Sequence, residues 1–464
     1  MNVHGLLEGA LEALHRQQER ARRTLTMIPS ENSFSALAKL PQLTDAAHRY
    51  FFDPDGDPGT RRFPAGRDAS WIETELTLPL LRDLTGATYV NVRPLSGLHA
   101  MTVVLSALGG PPDSTVASID PTHGGHYATT GLARRLGLRP VLIGGPDPYH
   151  ICYDALTRLV ARHHPRLVYL DLCHGLFPID IAAAVAAVRA AGGATRVHVD
   201  VSHTMGLVLG AALPNPLAAG ADSFGGSMHK TFPGPQKAIL ATCDREVADI
   251  VATAQVEMIS SHHLAAVCSL GLALAEFVAC DGPGYAREVV AAAKALGAAL
   301  DAAGLTPEAA EHGYTGCHQL WARTDGTGVD AVSAAERLER GGIHVNVLND
   351  LPGTDGEPAL RLGVAEPIAV GLTAADMPQV AALIAAAVSG ARPSTTIARD
   401  VAALRAARTR RHQLPPDSPL LARADELARA ALSVSDPIAG LASSIRHRHI
   451  DPALSVSAPS GGEA

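Results

Sequence analysis

The feature that most constrains this chain is an alternation of short apolar runs with helical stretches between about residues 72 and 245. The apolar runs read, in order, TYVNV, STVASI, RPVLIG, RLVYLDL, RVHVDV, DSFGGS and KAILAT. Strands that alternate with helices indicate a mostly parallel sheet with helices on both faces. The pattern therefore predicts an α/β fold in which this segment forms a large domain.

Composition excludes several classes of protein. The 464 residues are 47% hydrophobic and 18% charged, which is ordinary for a soluble globular protein and excludes a mainly disordered chain. The net charge is −8 and no long basic run accompanies it, so we predict no nucleic-acid partner. No apolar stretch reaches the ~20 residues of a membrane span, so we predict no membrane association.

The cysteines and the N-terminus bear on location. The N-terminal segment lacks the apolar core of a signal peptide. The six cysteines are scattered without a CxxC pair, and the histidine clusters have no cysteine or carboxylate at metal-ligand spacing. We therefore predict reduced thiols, no metal site and a cytoplasmic protein.

The remaining segments predict an arm, a second domain and an extension. Residues 5–23 have helical spacing, whereas residues 50–70 are rich in Gly, Pro and Asp and predict a long structured loop. Residues 315–390 mix strand-like and helical patterns, and residues 396–412 predict a basic amphipathic helix. The predicted units are an N-terminal helical arm (1–45), a large domain (46–280), a small C-terminal α+β domain (281–412) and a C-terminal extension (413–464).

The strongest sign of chemistry is the segment HVDVSHTMGLV (198–208) followed by FGGSMHKTFPGPQ (224–236). Asp200 ends a β-branched strand, His203 lies just beyond it, and Lys230 follows about thirty residues later. Pyridoxal phosphate (PLP) needs a carboxylate beside its ring nitrogen and a lysine that forms a Schiff base. Taken alone, Asp200 could equally be a helix cap and Lys230 a surface residue.

Three further segments weaken that simpler interpretation. Ser96 and Gly97 directly precede a predicted helix, where free N–H groups and the helix dipole favour a phosphate, although a plain N-cap is the alternative. His126 lies beside a Gly-Gly pair and could stack on an aromatic cofactor or be an ordinary loop histidine. Arg361 lies within an apolar run and requires a carboxylate partner, from a substrate or from the protein.

In this order and spacing, the segments resemble serine hydroxymethyltransferase and its close relatives, the threonine aldolase-like and transaldolase enzymes. MIPSENSFS (27–35) resembles the early serine-glutamate-asparagine segment of that family. The blocks GATYVNVRPLSGLHA, THGGHY, VDVSHTMGLV, SMHKTFPGP, VNVLND and LRLGV each resemble a family block. The resemblance extends over residues 5–412 and implies a fold type I PLP-dependent transferase.

The resemblance also implies a role for each candidate residue. Lys230 would bind the cofactor covalently, Asp200 would pair with its ring nitrogen, His203 would lie near the ring hydroxyl, and His126 would stack on the ring. The residues implied to hold the phosphate are Ser96, Gly97, Ser227 and His229. Arg361, helped by Ser30, would bind the α-carboxylate of an amino acid. Tyr50 and residues 260–263 would reach the cofactor and substrate of a partner subunit, so the family implies a homodimer with shared active sites.

The loop after Tyr50 departs from the family pattern. The folate-dependent enzymes carry a glutamate two residues after this tyrosine, and position 52 here is Phe. The nearby carboxylates that could take the proton of a β-hydroxyl are Asp53, Asp55 and Asp57. Phe63 replaces a family tyrosine, and Gln236 replaces the arginine that follows the lysine block. The residues implied to hold PLP therefore match, whereas those that handle folate and the serine hydroxyl do not.

Two functions fit this pattern. One is a hydroxymethyltransferase-like enzyme that cleaves or forms the Cα–Cβ bond of serine or threonine through a glycine-derived intermediate, with tetrahydrofolate as the second cofactor. The other is an L-threonine transaldolase or aldolase of specialised metabolism, which takes an amino acid and an aldehyde. A catalytically silent PLP-binding homologue is a third possibility, and the substrate arginine Arg361 argues against it.

Overall fold

The N-terminal part of the chain is a long helix followed by a short strand. The computed structural model describes residues 2–51 and 63–433. The predicted N-terminal helix is α1 (Val3–Arg23), which begins after the Asn2 cap and has no buried residue. β1 (Leu25–Thr26) follows and pairs in parallel with β11 (Ile343–His344), so the arm is attached to the C-terminal half of the chain.

The segment from residue 36 to residue 85 is mainly helical. It contains α2 (Ala36–Lys39), 3₁₀ turns at Leu40–Leu43, Asp45–His48 and Pro64–Gly66, α3 (Arg67–Trp71), a π-helical turn (Ile72–Thr77) and α4 (Leu78–Thr85). The predicted loop over 50–70 is therefore wrong for residues 64–70. Pro64 begins a helical turn, where proline is tolerated because its missing N–H has no partner to lose. Residues 52–62 lie outside the described part of the chain.

The central sheet has seven strands, and all seven apolar runs of the sequence form them. The strands are β2 (Tyr89–Asn91), β3 (Thr115–Ile119), β4 (Arg139–Ile143), β5 (Leu167–Asp171), β6 (Arg196–Asp200), β7 (Ser223–Ser227) and β8 (Ala238–Thr242). Their spatial order is β2-β8-β7-β6-β5-β3-β4. The pairs among β3 to β7 are parallel, whereas β8 is antiparallel to both of its neighbours, β7 and β2. The mostly parallel sheet is confirmed.

Helices between these strands bury the sheet. They are α5 (Gly97–Leu108), α6 (Thr129–Arg135), α7 (Tyr153–His163), α8 (Ile181–Ala190), α9 (Met205–Leu209) and α10 (Arg245–Gln255). β5, β7 and β8 are buried along their whole length, as expected for strands covered on both faces. α11 (Leu264–Ala279) and α12 (Gly282–Ala302) then lead to the second sheet.

The second sheet has four antiparallel strands in the order β12-β13-β10-β9. Its strands are β9 (Thr306–Pro307), β10 (Gln319–Arg323), β12 (Asn346–Leu348) and β13 (Ala359–Gly363). The helices of this part are α13 (Ala331–Arg340), α14 (Ala365–Ala369) and α15 (Met377–Ser389). This is the α+β arrangement that residues 315–390 predict. One apolar core contains buried residues from both sheets, among them Phe224 and Trp321.

The C-terminal helices differ from the sequence expectation in length and number. The predicted helix over 396–412 is α16 (Ser394–Ala406), which ends earlier than expected. α17 (Pro419–Ser433) lies in the segment we expected to be only an extension. Within the described ranges no single helix is long and apolar enough to cross a membrane; α11 and α12 meet those limits only as a pair bent by 84°. The four domain boundaries stay predictions.

Candidate active site

The carboxyl ends of three parallel strands bring the candidate residues together. Asp171 ends β5 and Asp200 ends β6, and the two residues are paired across the sheet. Ser227 ends β7, and Lys230 follows three residues later. Together with the loops beyond them, these ends line one narrow cavity, whose walls include Gly97, His126, Asp171, Cys173, Asp200, Ser202, His203, Ser227 and Lys230. Ligands of open parallel sheets bind at this edge.

Asp200 is held firmly on the cavity wall. The Tyr169 hydroxyl donates a hydrogen bond of 2.8 Å to Oδ2, and the Ser202 backbone N–H donates one of 2.8 Å to Oδ1. Burial, together with the charge of Asp200, raises the pKa of Tyr169, so this phenol stays protonated as a donor. The carboxylate therefore has a fixed orientation toward the cavity.

Lys230 presents an amine that makes no hydrogen bond to the residues described. Burial lowers the pKa of this amine; Cys173 and Asp200 oppose the shift, and Arg361 adds to it. A lysine that loses its proton more easily is a better nucleophile toward a carbonyl group. The backbone is fixed as well, because Asn32 Nδ2 donates a hydrogen bond of 2.6 Å to the Lys230 carbonyl.

The N-terminus of α5 forms a cradle beside Lys230. Ser96 is the N-cap, and its Oγ accepts a hydrogen bond of 3.2 Å from the His99 N–H. A Cβ on Gly97 would lie 2.2 Å from Ser227 Oγ, so a larger residue here would require the Ser227 side chain to move. The two interpretations of Ser96 are compatible, because the side chain caps the helix at His99 while the other backbone N–H groups of the first turn can still bind an anion.

The two histidines predicted to lie beside the cofactor ring both line the cavity. His203 follows β6, and its Nε2 is 3.6 Å from Cys173 Sγ. His126 follows β3; its ring stacks on Tyr127 with centroids 4.6 Å apart, and its Nδ1 accepts a hydrogen bond of 3.1 Å from the Ala128 N–H. Burial lowers the pKa of both histidines, which favours neutral rings at neutral pH.

Arg361 lies in the middle of β13 and is only 4% exposed. Its Nε and Nη2 donate to Gln319 Oε1 at 3.0 and 2.6 Å, and Nη2 also donates to the Cys173 carbonyl at 2.9 Å. Burial lowers the pKa of this guanidinium, and the charge of Asp350 opposes the shift without forming an ion pair among the described residues. A buried cation whose hydrogen-bond partners are all neutral favours binding of an anion. Ser30 follows Pro29, and Pro29 packs against Gly363 in the strand that carries Arg361.

Comparison with known proteins identifies the family. The profile described as serine hydroxymethyltransferase matches residues 8–384. The chain is also 35% identical over 409 residues to serine hydroxymethyltransferase of Methanopyrus kandleri, a match that covers 86% of this chain and 93% of the relative. The chain belongs to the serine hydroxymethyltransferase family.

Transaldolases of this family are also similar to the chain. An L-threonine:uridine-5'-aldehyde transaldolase of an Amycolatopsis species is 44% identical over 369 residues, which is 78% of this chain and 87% of that protein. The crystal structure of L-threonine transaldolase from Pseudomonas fluorescens aligns with a TM-score of 0.80 and 24% identity, covering 91% of this chain and 98% of the other. The predicted fold of a fold type I PLP-dependent transferase is confirmed.

Membership in the serine hydroxymethyltransferase family also confirms the predicted chemistry. The chain is a PLP-dependent enzyme that breaks and forms the Cα–Cβ bond of β-hydroxy amino acids. The cavity fits that cofactor, because it offers buried polar atoms that have no partner among the described residues. Four of them belong to side chains at or beside the cavity, namely Asp171 Oδ1, His203 Nδ1, His229 Nδ1 and His318 Nδ1. A buried polar atom that stays without a hydrogen bond costs about 1–3 kcal/mol of stability, so the site favours binding of a polar ligand.

Tyr50 and residues 260–263, which the family resemblance assigns to the active site, do not line the cavity of their own chain. Tyr50 is 45% exposed and stacks on Phe63, with centroids 5.4 Å apart. In the 260–263 segment, His262 Nε2 is 2.7 Å from Glu73 Oε2, and the His262 carbonyl accepts a hydrogen bond of 2.8 Å from Lys237 Nζ. Asp53, Asp55 and Asp57 lie outside the described residues.

Sequence reasoning missed several residues that shape the site. They are Asn32, Tyr169, Asp171 and Gln319. Asp171 had a usable signal, since it ends a buried apolar run in the same way as Asp200. Its Oδ2 accepts hydrogen bonds from the Thr129 hydroxyl and from the His126 N–H, so it supports the loop that carries His126. Burial, only partly offset by these hydrogen bonds, raises the pKa of Asp171 to about 8.

Proposed function

We propose that this enzyme is an L-threonine transaldolase that releases acetaldehyde from L-threonine and transfers the glycyl unit to an aldehyde acceptor. The observation that carries the proposal is a difference in similarity. The chain is 44% identical to transaldolases from Amycolatopsis and Streptomyces species, and 35% identical to the hydroxymethyltransferases of Methanopyrus kandleri and Pyrobaculum arsenaticum. The acceptor that those transaldolases share, uridine-5'-aldehyde, is the acceptor we propose here.

The cavity residues support a specific arrangement for the cofactor. When bound, PLP supplies a carbonyl group for amines and a protonated ring that withdraws electrons from bonds at Cα. Lys230 would hold it covalently, and Asp200 would keep the proton on its ring nitrogen. His203 would lie near the ring hydroxyl, and His126 would cover one face. The residues proposed to hold the phosphate are Ser96, Gly97, Ser227 and His229.

Arg361 supports amino acid binding on the side of the small sheet. Its Nη1 makes no hydrogen bond to the residues described, while Nε and Nη2 are already held by Gln319 and the Cys173 carbonyl. We propose that Nη1 and the Ser30 hydroxyl bind the α-carboxylate of the substrate. A fixed carboxylate orients the amino acid so that the bond to be broken stands at a defined angle, which is a large part of catalysis in such sites.

A homodimer would complete the site. Tyr50 is exposed and, like residues 260–263, lies outside its own cavity, so we propose that both face the active site of a second copy. α1 supports the same proposal, because Leu6, Leu7, Leu11 and Leu14 are each more than half exposed along it. An apolar stripe of this size favours cover by a second copy of the chain. The proposed location is the cytoplasm, in keeping with six free cysteines.

One assay separates the two functions that the sequence leaves open. Acetaldehyde and glycine formation from L-threonine would be measured with purified holoenzyme, with and without uridine-5'-aldehyde, and glycine formation from L-serine with and without tetrahydrofolate. We expect folate-independent release of acetaldehyde and a new β-hydroxy amino acid when the aldehyde is present. Strong serine turnover that requires folate, with no product from uridine-5'-aldehyde, would contradict the transaldolase proposal.

A further inference from the structure

We propose that Gln319 is a positioning residue that aims Arg361 at the substrate carboxylate and leaves the charge of Arg361 available. The inference rests on the proposed role of Arg361 in carboxylate binding. Gln319 begins β10, directly across from Gly363 of the strand that carries Arg361, and is 1% exposed. Its amide donates to the carbonyl of Cys173, which lines the cavity, so Gln319 lies where the small sheet meets the cavity.

The Gln319 amide uses its full hydrogen-bonding capacity. Oε1 accepts both bonds from Arg361, at 3.0 and 2.6 Å, and Nε2 donates to the Cys173 carbonyl at 3.1 Å and to the Gly175 carbonyl at 3.0 Å. The orientation of the amide follows from chemistry, since a guanidinium only donates and a carbonyl only accepts. Two acceptor positions and two N–H groups are thus all satisfied in a buried site.

Only an amide meets these requirements at this position. A glutamate would neutralise Arg361 and turn a carboxylate oxygen toward the Cys173 and Gly175 carbonyls, which are acceptors as well. A methionine of similar size would keep the charge of Arg361 but would leave two carbonyl oxygens and two guanidinium donors with fewer partners. The glutamine holds the guanidinium in place without supplying a counter-charge, so the attraction for a substrate carboxylate is preserved.

Gln319 also joins the carboxylate site to the cofactor cavity. The Cys173 carbonyl accepts hydrogen bonds from both Gln319 and Arg361, and Cys173 Sγ lies 3.6 Å from His203 Nε2 on the cavity wall. The same loop is further tied to the small sheet, because the Leu176 carbonyl accepts hydrogen bonds from the Thr315 hydroxyl and the Gly316 N–H. The Gln319 amide therefore fixes the position of Arg361 relative to the loop that contains Cys173, and this loop contacts His203.

The test compares Gln319→Glu and Gln319→Met with Gln379→Glu, an identical charge change at an exposed position of α15. The readouts are the Kd of L-threonine and of glycine, taken from the change in visible absorption of the holoenzyme, and the Kd of ethanolamine, which has an amine but no carboxylate. The Kd of PLP and the thermal unfolding of each variant are measured alongside, together with KM and kcat for L-threonine.

We expect Gln319→Glu to raise the Kd and KM of L-threonine by about thirtyfold and Gln319→Met by about fivefold, with kcat changed less than about threefold. The Kd values of ethanolamine and PLP, and all values for Gln379→Glu, should stay close to the wild type. If Gln319→Glu does not fold, Gln319→Met decides alone, and an unchanged KM would overturn the proposal.

Two further results would overturn the proposal. One is equal weakening of ethanolamine and L-threonine, which would indicate a general structural role for Gln319. The other is a loss in Gln319→Met as large as that in Gln319→Glu, which would mean that charge is irrelevant. The proposed function fails separately: amino acid binding by the wild type without acetaldehyde release would reject the transaldolase reaction and leave the role of Gln319 testable by Kd.

Discussion

Lys230 and Lys237 lie seven residues apart on either side of one turn, and burial lowers the pKa of both amines. Their surroundings differ. Lys237 Nζ donates to the carbonyls of His262, Pro94 and Arg93, at 2.8, 3.1 and 3.4 Å. The Lys230 amine makes no such bond to the residues described and lines the cavity with Asp200 and His203.

Burial of a cation is therefore not by itself a sign of function. Lys237 uses its donors to connect the backbone at residue 262 to the backbone at residues 93–94. Lys230 keeps its amine open toward the cavity. Arg361 belongs with Lys230, because it too has a terminal nitrogen without a hydrogen bond to the residues described. Unused donors, not depth, separate the reactive cations from the structural one.

The largest effect should follow from Lys230→Ala. Lys230 is the only lysine on the cavity wall among the residues that the structure describes, so its loss should abolish covalent attachment of PLP and lower the rate of L-threonine cleavage by at least about 10³-fold. The measurement is borohydride reduction of the holoenzyme, followed by denaturation and detection of a reduced cofactor adduct by mass. Lys237→Met is the matched control and should keep the adduct. An adduct that persists in Lys230→Ala would show that another amine holds the cofactor.

Arg361→Ala extends the comparison to the second cation with an unused donor. A charge-assisted pair of hydrogen bonds to the substrate carboxylate would be lost, so the KM of L-threonine should rise about 10²-fold while covalent PLP attachment stays intact. Steady-state kinetics and the borohydride adduct provide the two measurements. Arg323→Ala is the control, since Arg323 pairs with Glu308 at 2.9 Å outside the cavity. An unchanged KM would mean that the carboxylate is bound elsewhere.

Much of this arrangement could be predicted from the sequence. Parallel strands that are buried on both faces read as continuous apolar runs, so all seven strands of the large sheet were visible. Because Asp200 and Lys230 follow two neighbouring strands, their meeting at one edge of the sheet follows from topology alone. The helix after Pro64 was missed because proline and glycine, which usually mark loops, here begin a helix.

The contact of Gln319 with Arg361 could not be predicted in the same way. The two residues are separated by 42 positions and meet only through the register of β10 with β13. Gln319 lies in the run HQLWART, which predicts a strand but does not indicate which residue of another strand it faces. The three carbonyl partners of Lys237 are backbone atoms, which no side-chain pattern reports. Side-chain chemistry at strand ends is thus readable from sequence, whereas pairing across a sheet requires the register.

Lys237→Met should lower the stability of the fold, whereas Lys230→Ala should abolish covalent PLP attachment and catalysis. Removal of the amine takes a hydrogen bond from each of three buried or partly buried carbonyl oxygens, of which that of Pro94 keeps the Ala238 N–H as a donor at 3.4 Å, and this should lower the free energy of unfolding by about 2–4 kcal/mol. Urea unfolding of the holoenzyme measures this loss. Lys294→Met on α12 is a control for the loss of a lysine amine elsewhere on the protein. A normal unfolding midpoint combined with lost PLP attachment would reverse the roles assigned to the two lysines.

A further difference concerns the two acids at the same sheet edge. Asp200 has protein donors on both oxygens, whereas Asp171 has an unpartnered Oδ1, and burial raises the pKa of Asp171 to about 8. Between about pH 4 and pH 8 the folded chain then holds a proton that the unfolded chain has released, so Asp171 makes stability fall as pH rises. The free energy of unfolding is measured by urea unfolding at several pH values from 5 to 8. In the wild type, Asp171 should make this free energy fall with pH by at most about 1.4 kcal/mol per pH unit. Asp171→Asn cannot titrate and should lack this contribution. The same slope in wild type and Asp171→Asn would show that Asp171 is ionised in the folded protein.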